Sequence, residues 1–188
     1  MIDHTAILAQ FPGTTWDAAT NMLVVPKEVA TAVATFLRDD PAFKLDYCSN
    51  VTGVDYLPAE KKEKVKQEDG TEVEKVTSTP GRMDVVYHLY SIAKKGGLFT
   101  FKQTTPSRDN PVVTSLTPVW RSCEFQEREI FDLYGIHFDN HPDLRRILMW
   151  DEFQDFPMRK DYKEPDDYEY EPTPHADVLE KAKTHYTP

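Results

Sequence analysis

The sequence predicts an α+β fold: a mixed or antiparallel sheet, helices packed on one face of it, and an extended C-terminal arm. Three features lead to this prediction. A β-α-β pattern lies near the start, a charged helix follows the later strands, and the last stretch is acidic and punctuated by proline. Segregated strands and helices are typical of a sheet covered on one side. We therefore expect one domain over residues 1–150 and an arm over residues 151–188.

The β-α-β pattern spans residues 22–47. Residues 22–25 form an apolar run that predicts a buried strand, and residues 43–47 alternate in polarity as a half-buried strand does. Between them a helix is expected from Pro26 to Asp40, because proline suits the first turn and apolar residues recur at helical spacing. Those apolar residues are Val29, Val33, Phe36 and Leu37.

Residues 57–81 differ in composition from their surroundings. They hold six acidic residues and five lysines, with few apolar side chains. The turn signal at residues 67–71 predicts an exposed hairpin tip or a disordered loop. A partner-binding insertion is the alternative interpretation.

Three further strands are expected before the second helix. Residues 83–92 and 98–102 are rich in β-forming residues and flank a Lys-Gly-Gly turn, so they predict a hairpin. Residues 112–116 predict one more strand.

The second helix is expected over residues 123–134, between the N-cap candidate Ser122 and the helix-ending Gly135. Arg128 and Asp132 are four residues apart and can pair on its surface. The acids of this helix do not share one face, so a salt-bridged or partner-docking helix is favoured over a pair of catalytic carboxylates. The charge group consists of Glu127, Arg128, Glu129 and Asp132.

Composition argues against several classes of protein. The chain has 32 acidic and 22 basic residues, which disfavours nucleic-acid binding. Two cysteines cannot by themselves supply a disulfide framework, a four-cysteine zinc site or an iron–sulfur cluster. No apolar run approaches the roughly 20 residues that span a bilayer. Glycine-rich phosphate-binding motifs are also missing from the sequence, so the residues alone indicate no cofactor bound by this chain.

Two other groups could carry chemistry. His137 and His141 have the spacing of zinc ligands on a helix, but Gly135 ends the helix before them, which disfavours a metal site. The basic residues of the C-terminal third suit carboxylate pairing, within the chain or across an interface. They are Arg145, Arg146, Arg159 and Lys160, the last followed by Asp161.

The arm over residues 151–188 carries eleven acidic and five basic residues, with scattered tyrosines and prolines. A segment of this kind can lie on a partner surface and become ordered there. We expect it to wrap a partner, and a disordered tail is the alternative.

Residues 127–148 read Glu-Arg-Glu-Ile-Phe-Asp-Leu-Tyr-Gly-Ile-His-Phe-Asp-Asn-His-Pro-Asp-Leu-Arg-Arg-Ile-Leu. This segment closely resembles the signature of one respiratory complex I family, that of the 30-kDa subunit of NADH-quinone oxidoreductase. Residues 156–162 are similar to a second element of that family, and residues 52–56 to a weaker strand motif. The stretch 57–81 is longer than the turn usual in the family.

The resemblance implies a non-redox scaffold subunit of the peripheral arm of a proton-translocating NADH:quinone oxidoreductase, at the cytoplasmic face of the inner or plasma membrane. The implied partners are the subunits B, D and I of complex I, with docking on D, the large quinone-site subunit of the 49-kDa type. FMN, iron–sulfur clusters and quinone are then held by partner subunits. The implied structural and interface residues are Glu127, Arg128, Glu129, Asp132, His141, Arg145, Arg146, Arg159, Lys160 and Asp161.

Two alternatives stay open. Equivalent subunits occur in F420H2 dehydrogenases and membrane-bound hydrogenases. A free-standing metal-dependent enzyme that uses His137 and His141 is the alternative of a different class.

Overall fold

The structure, a computed structural model, describes residues 4–66, 72–153 and 155–163. Most of the arm expected over residues 151–188, with its proposed contacts to a partner, therefore lies outside the described residues. The described helices and strands are α1 (Thr5–Gln10), β1 (Thr15–Asp17), β2 (Met22–Val24), α2 (Ala30–Asp39), β3 (Tyr47–Tyr56), β4 (Ala59–Lys66), β5 (Glu72–Thr79), β6 (Arg82–Tyr90), β7 (Phe99–Thr104), β8 (Val112–Thr114), α3 (Cys123–Tyr134) and β9 (His137–Asp139).

The main sheet has the strand order β1-β2-β7-β6-β3. The β2–β7 pair is parallel and the other pairs are antiparallel. Alternate residues of the central strands, such as Met83, Val85, Tyr87 and Leu89, form one buried core with the apolar sides of α2 and α3. The predicted α+β class, with a mixed sheet and helices on one face, is confirmed.

The strand predicted at residues 43–47 is wrong. Lys44 has a positive φ of 48°, which an extended strand does not allow, and β3 begins only at Tyr47. Phe43 and Leu45 are nonetheless both buried, and the Leu45 N–H donates to the Leu37 carbonyl at the end of α2. The alternation in the sequence therefore reflects a turn packed against α2.

The strand predicted at residues 112–116 forms, but as the shorter β8, outside the main sheet. It pairs in parallel with β9. The Gln103 side chain links it to β7: its Nε2 donates to the Thr114 carbonyl at 2.8 Å, and its Oε1 accepts from the Thr114 N–H at 3.0 Å. A buried amide thus replaces ladder hydrogen bonds between the two strands.

The charged stretch over residues 57–81 is a β-hairpin, so the disordered-loop interpretation is wrong for its described part. Strands β4 and β5 pair antiparallel from Ala59 opposite Thr79 to Lys66 opposite Glu72. Residues 57–60 and 77–80, where the hairpin leaves the domain, are exposed. The predicted tip at residues 67–71 lies outside the described residues.

Helix α3 has the predicted bounds, and Gly135 ends it with a left-handed φ of 72°. Ser122 stands at the predicted N-cap position, but its side chain does not cap the helix, because its hydroxyl donates to the Cys48 carbonyl at 2.9 Å. Gln126 accepts the Val51 N–H at 2.7 Å, so α3 covers the free edge of β3. Gly53 makes this approach possible, since a Cβ there would lie 2.8 Å from the Tyr134 ring. Of the described helices, none is both long and apolar enough to cross a membrane.

Candidate functional site

The charged side chains of α3 divide between the core and the surface. Glu127 and Asp132 are fully buried and Arg128 is nearly so, whereas Glu129 is exposed. Buried charges are costly unless they are paired or hydrogen-bonded. The arrangement therefore depends on what each buried group binds.

Glu127 holds the loop that precedes α3. Its carboxylate accepts the Leu116 N–H at 2.8 Å, and the hydroxyls of Ser115 at 2.6 Å and Thr117 at 3.2 Å. The Tyr87 hydroxyl donates to it at 3.2 Å. Burial raises the pKa of Glu127 to about 7, because these donors offset only part of the desolvation.

His141 is bound to the first turn of α3, beside Glu127. The Asp143 N–H donates to its Nδ1 at 3.1 Å, so we assign the ring proton to Nε2, which lies 3.0 Å from the Glu124 carbonyl. The ring also lies 4.0 Å from the Glu127 carboxylate. His141 therefore anchors the start of the loop at residues 141–150 to α3.

Asp132 anchors the other end of that loop. One carboxylate oxygen accepts three consecutive backbone N–H groups, those of Ile147, Leu148 and Met149, at 3.0, 2.7 and 2.9 Å. The other oxygen binds Arg146 at 2.7 Å. Burial alone would raise the pKa of Asp132, but these donors outweigh it and hold the pKa below its usual range.

The pairing of Arg128 with Asp132 expected from their spacing is not formed. Arg128 instead donates to the carbonyls of Arg145 and Arg146, each at 3.1 Å. Arg128 and Asp132 find their partners in the loop instead of in each other. The loop supplies the Arg146 side chain for Asp132 and two backbone carbonyls for Arg128. The Arg145 side chain is 70% exposed and binds Asp143.

The segment after residue 155 packs beneath the end of α3. Arg159 donates to the Tyr134 carbonyl at 2.7 Å, and its guanidinium lies 4.6 Å from the centre of the Phe156 ring. Both side chains come so close to Gly135 that a Cβ there would lie 2.6 Å from Phe156 and 2.8 Å from Arg159. Arg159 thus satisfies one of the carbonyls left free at the helix end.

Lys160 and Asp161 meet a pair of residues that sequence reasoning missed. Asp55 accepts the Lys160 N–H at 2.9 Å and two bonds from Arg108, at 2.6 and 2.8 Å. Arg108 also binds Asp161 at 2.7 Å. Burial acts to raise the pKa of Asp55, but Arg108 and the Lys160 N–H outweigh it and lower that pKa.

Six of the ten sequence-predicted residues make contacts that join α3 to the 141–150 loop or to the 155–163 segment: Arg128, Asp132, His141, Arg145, Arg146 and Arg159. Glu127 instead holds the loop before α3, and Lys160 and Asp161 meet Asp55 and Arg108. Glu129 does not contribute such a contact among the described residues; it lies exposed beside the cleft between α3 and β3. Asp55 stands in the strand motif over residues 52–56, which was a usable signal. Arg108 stands in a loop with no pattern to mark it.

Helix α3 and the anchored loop together expose several large apolar side chains, which we call the apolar surface: Phe125 on α3, and Ile147, Leu148 and Trp150 on the loop. Phe125 and Leu148 are each 61% exposed, and Trp150 is 49% exposed. Arg128 contacts both the Phe125 ring and the loop backbone, so these side chains belong to one region. Large exposed apolar groups held by a rigid support are typical of protein interfaces.

The two histidines are not placed for a metal. His137 is exposed on β9, whereas the ring of His141 is bound to backbone groups. Within the part of the chain that the structure describes, no cluster of three or more His, Cys, Asp or Glu side chains could hold a metal ion.

The fold and the site define an α+β domain in which one charged helix organises the loop and segment that follow it. A sequence profile described as the respiratory-chain NADH dehydrogenase 30 Kd subunit matches residues 23–168. The chain therefore belongs to this family, and the resemblance seen in the sequence is confirmed.

Individual relatives agree. The chain is 34% identical over 165 residues to the NADH-quinone oxidoreductase C 2 subunit of Rhizobium etli, covering 86% of this chain and 76% of that protein. It is 39% identical over 140 residues to the NADH-quinone oxidoreductase C subunit of Geobacter sulfurreducens, covering 74% and 72%. Family membership makes it a subunit of a multi-subunit respiratory complex.

Two solved structures share the fold. A trypsin-resistant fragment of Nqo5 (1–134) superposes with a TM-score of 0.52 at 25% identity, covering 75% of this chain and 97% of the fragment. A chain of an archaeal respiratory membrane complex, the membrane-bound sulfane sulfur reductase, gives a TM-score of 0.53 at 17% identity, covering 95% and 88%.

Proposed function

We propose that this chain is a scaffold subunit of the peripheral arm of a proton-translocating NADH:quinone oxidoreductase, and that it docks on the large quinone-site subunit through the apolar surface. Subunits B and I are its further neighbours, at the cytoplasmic face of the membrane. FMN, iron–sulfur clusters and quinone belong to the partner subunits, and this chain supports electron transfer by holding them in place.

The observation that carries the proposal is the anchoring of the loop by Asp132. Three N–H bonds from consecutive residues fix the backbone that presents Leu148 and Trp150. An ordered apolar surface loses little conformational entropy when it binds, which favours a stable interface. Apart from the exposed Glu129, the charged groups predicted from the sequence are bound to one another, to other charged side chains or to backbone, so they serve rigidity rather than acid–base chemistry.

Affinity purification tests the proposal. A tagged chain is isolated from gently solubilised source membranes, and the chains that come with it are identified by mass spectrometry. We expect the large quinone-site subunit, the cluster-bearing subunits and a flavin subunit that oxidises NADH. A complex without the flavin subunit would instead indicate an F420H2 dehydrogenase or a hydrogenase, and a chain purified alone would contradict the scaffold function.

A matched pair of variants tests the docking surface itself. Leu148 is 61% exposed on the anchored loop, and Leu98 is 58% exposed just before β7. Leu148→Glu should reduce recovery of the large subunit by roughly tenfold or more, since a charge desolvated at an interface costs several kcal/mol. Leu98→Glu should leave recovery unchanged, and an equal loss in both variants would contradict the assignment of the surface.

A further inference from the structure

A cleft of about 210 Å³ lies between helix α3 and β3, the last strand of the main sheet. Small-molecule pockets usually measure roughly 300–1,000 Å³, so this cleft suits one side chain better than a separate ligand. Its walls are largely apolar and include Ile130, Leu133 and Tyr134 of α3, Gly53 of β3, and Met158.

Hydrogen bonds hold the two sides of the cleft together. Toward the start of α3, the Gln126 side chain accepts the Val51 N–H of β3 at 2.7 Å. Toward its end, the Met158 N–H donates to the Leu133 carbonyl at 3.1 Å. The cleft is therefore formed before a partner binds, so filling it costs little conformational entropy.

Glu129 is the one charged side chain among the described residues that line the cleft. No basic residue stands three or four positions from it on α3, so the helix itself offers no counter-ion. Among the described residues its exposed carboxylate has no partner. Partners are described for the other charged side chains of the helix, which are Glu124, Glu127, Arg128 and Asp132.

The electrostatics of the cleft are seen at the Tyr134 hydroxyl. Burial raises the pKa of Tyr134 above its usual value, and the carboxylates of Asp55 and Glu129 raise it further. Asp55 is neutralised by two bonds from Arg108, at 2.6 and 2.8 Å. The uncompensated negative charge at the cleft is therefore that of Glu129.

The cleft adjoins the apolar surface along α3. Phe125 and Glu129 are four residues apart, so they share one face of the helix, with about 6 Å between their Cβ atoms. A partner that covers Phe125 therefore also takes water from Glu129. Burying a carboxylate without a counter-ion is costly, so such a partner needs a positive group at this position.

We propose that the cleft receives an arginine side chain of the subunit that covers the apolar surface, with Glu129 binding its guanidinium. This rests on the proposed function. Arginine is favoured over lysine because its planar guanidinium can bind a carboxylate through two bonds and stack on a ring such as that of Tyr134. The apolar walls suit the methylene stem of the same side chain. The pair fixes the orientation in which this chain docks.

Labelling of carboxylates tests the inference on the wild-type chain. The assembled complex and the purified free chain are each treated with a carbodiimide and glycinamide, and the modified acids are identified by mass spectrometry. Glu129 should react several-fold more slowly in the complex than in the free chain. The control is Glu28, an exposed acid before α2 that lines neither the cleft nor the apolar surface, and it should react equally in both.

A matched pair of variants tests the charge itself. Complexes are washed at the salt concentration that releases half of the wild-type chain. Glu129→Gln should lower the ratio of bound to released chain roughly tenfold, as the loss of an interfacial ion pair does, and Glu28→Gln should not change it. Both side chains are exposed, so the free variants should melt at the wild-type temperature.

The partner residue is identified by a dicarbonyl reagent that modifies arginine. One arginine of the large quinone-site subunit should react several-fold faster in the Glu129→Gln complex than in the wild-type complex. A change confined to a lysine, measured with an amine reagent, would contradict the assignment of arginine.

Three further results would overturn the inference. Equal labelling of Glu129 in the complex and the free chain would leave the scaffold function intact, and if that labelling were slow in both, a segment of this chain itself would fill the cleft. Glu129→Gln complexes as resistant to salt as the wild type would also leave the scaffold function intact. A wild-type chain that recovers no complex would contradict the scaffold function as well.

Discussion

Asp132 and Arg146 form the ion pair that joins helix α3 to the loop after it, with 2.7 Å between a carboxylate oxygen and a guanidinium nitrogen. The Asp132 side chain is fully buried and that of Arg146 is 15% exposed. Because the second carboxylate oxygen takes three loop N–H groups, one side chain fixes both the loop backbone and its arginine.

Asp132→Asn should therefore destabilise the domain strongly. The neutral amide leaves Arg146 partly buried without its counter-ion, and breaking such a pair costs about 3 kcal/mol. Urea unfolding of the purified chain measures the loss. Asp39→Asn is the control, since Asp39 is 56% exposed and its surface pair with Arg38 should contribute under about 1 kcal/mol. Equal losses in the two variants would contradict the anchoring role.

Glu127 should make the domain less stable as pH rises. Burial raises its pKa from 4.5 to about 7, so between these values the folded chain binds a proton that the unfolded chain has lost. The contribution of protonated Glu127 to the free energy of unfolding is complete below about pH 4.5, and it is lost as the pH rises through 7. Its size is about 3 kcal/mol between pH 4.5 and pH 8.

Glu127→Gln tests this pH dependence directly. The amide can still accept the Leu116 N–H and donate to a neighbouring hydroxyl, but it does not titrate. Unfolding free energies of both proteins are compared at pH 5 and pH 8, and the wild type should lose more of its stability than the variant by roughly 2–3 kcal/mol. Parallel changes in the two proteins would show that Glu127 does not titrate in this range.

Gly135→Ala should displace the 155–163 segment. The left-handed backbone alone costs a residue with a side chain about 1–2 kcal/mol, and the new methyl group would overlap Phe156 and Arg159. We expect a lower melting temperature and faster tryptic cleavage after Arg159. Gly97→Ala has open space around it and no positive φ, so it should behave as the wild type. Unchanged cleavage in Gly135→Ala would contradict the packing described at this helix end.

Local sequence patterns correctly predicted the helices and strands whose conformation depends on a single local feature, such as an apolar run or a helix-ending glycine. Helix α3 was predicted with correct bounds because Ser122 stands directly before its first residue and Gly135 directly after its last. The apolar run at residues 22–25 also forms a strand, since nothing competes with burial there. Residues 43–47 alternate as well, but Lys44 adopts a left-handed turn because the chain must reverse after α2. Alternation reports which side chains are buried, and a turn can bury alternate residues too.

The site could be predicted only in part, for a related reason. The residues that carry charge were visible in the sequence, but their partners depend on the path of the loop. Arg128 and Asp132 are neighbours on α3, yet each binds the loop instead of the other. Arg108 was missed because its partners are distant in sequence. Asp55 lies 53 residues before it and Asp161 lies 53 residues after it, and no local pattern predicts contacts at that separation.

Arg108→Gln should release the segment that leads into the arm. Without the guanidinium, Asp161 loses its partner and Asp55 keeps the Lys160 N–H alone among the bonds described for it. We expect trypsin to cleave after Lys160 and Lys163 several-fold faster than in the wild type. Arg121→Gln is the control, because that side chain is 90% exposed and pairs with Glu124. Equal cleavage rates in all three proteins would contradict the role of Arg108.

The Arg145→Ala variant tests the proposed scaffold function most directly. Two quantities are measured in cells that carry it: the amount of assembled complex and the turnover of each assembled complex. The Arg145 side chain is 70% exposed in the isolated chain and its carbonyl already serves Arg128, so the side chain is available to a partner. The scaffold function predicts that assembled complex falls several-fold while NADH:quinone turnover per complex stays within about twofold. Normal assembly with lost turnover would contradict it and assign this chain a direct part in the reaction.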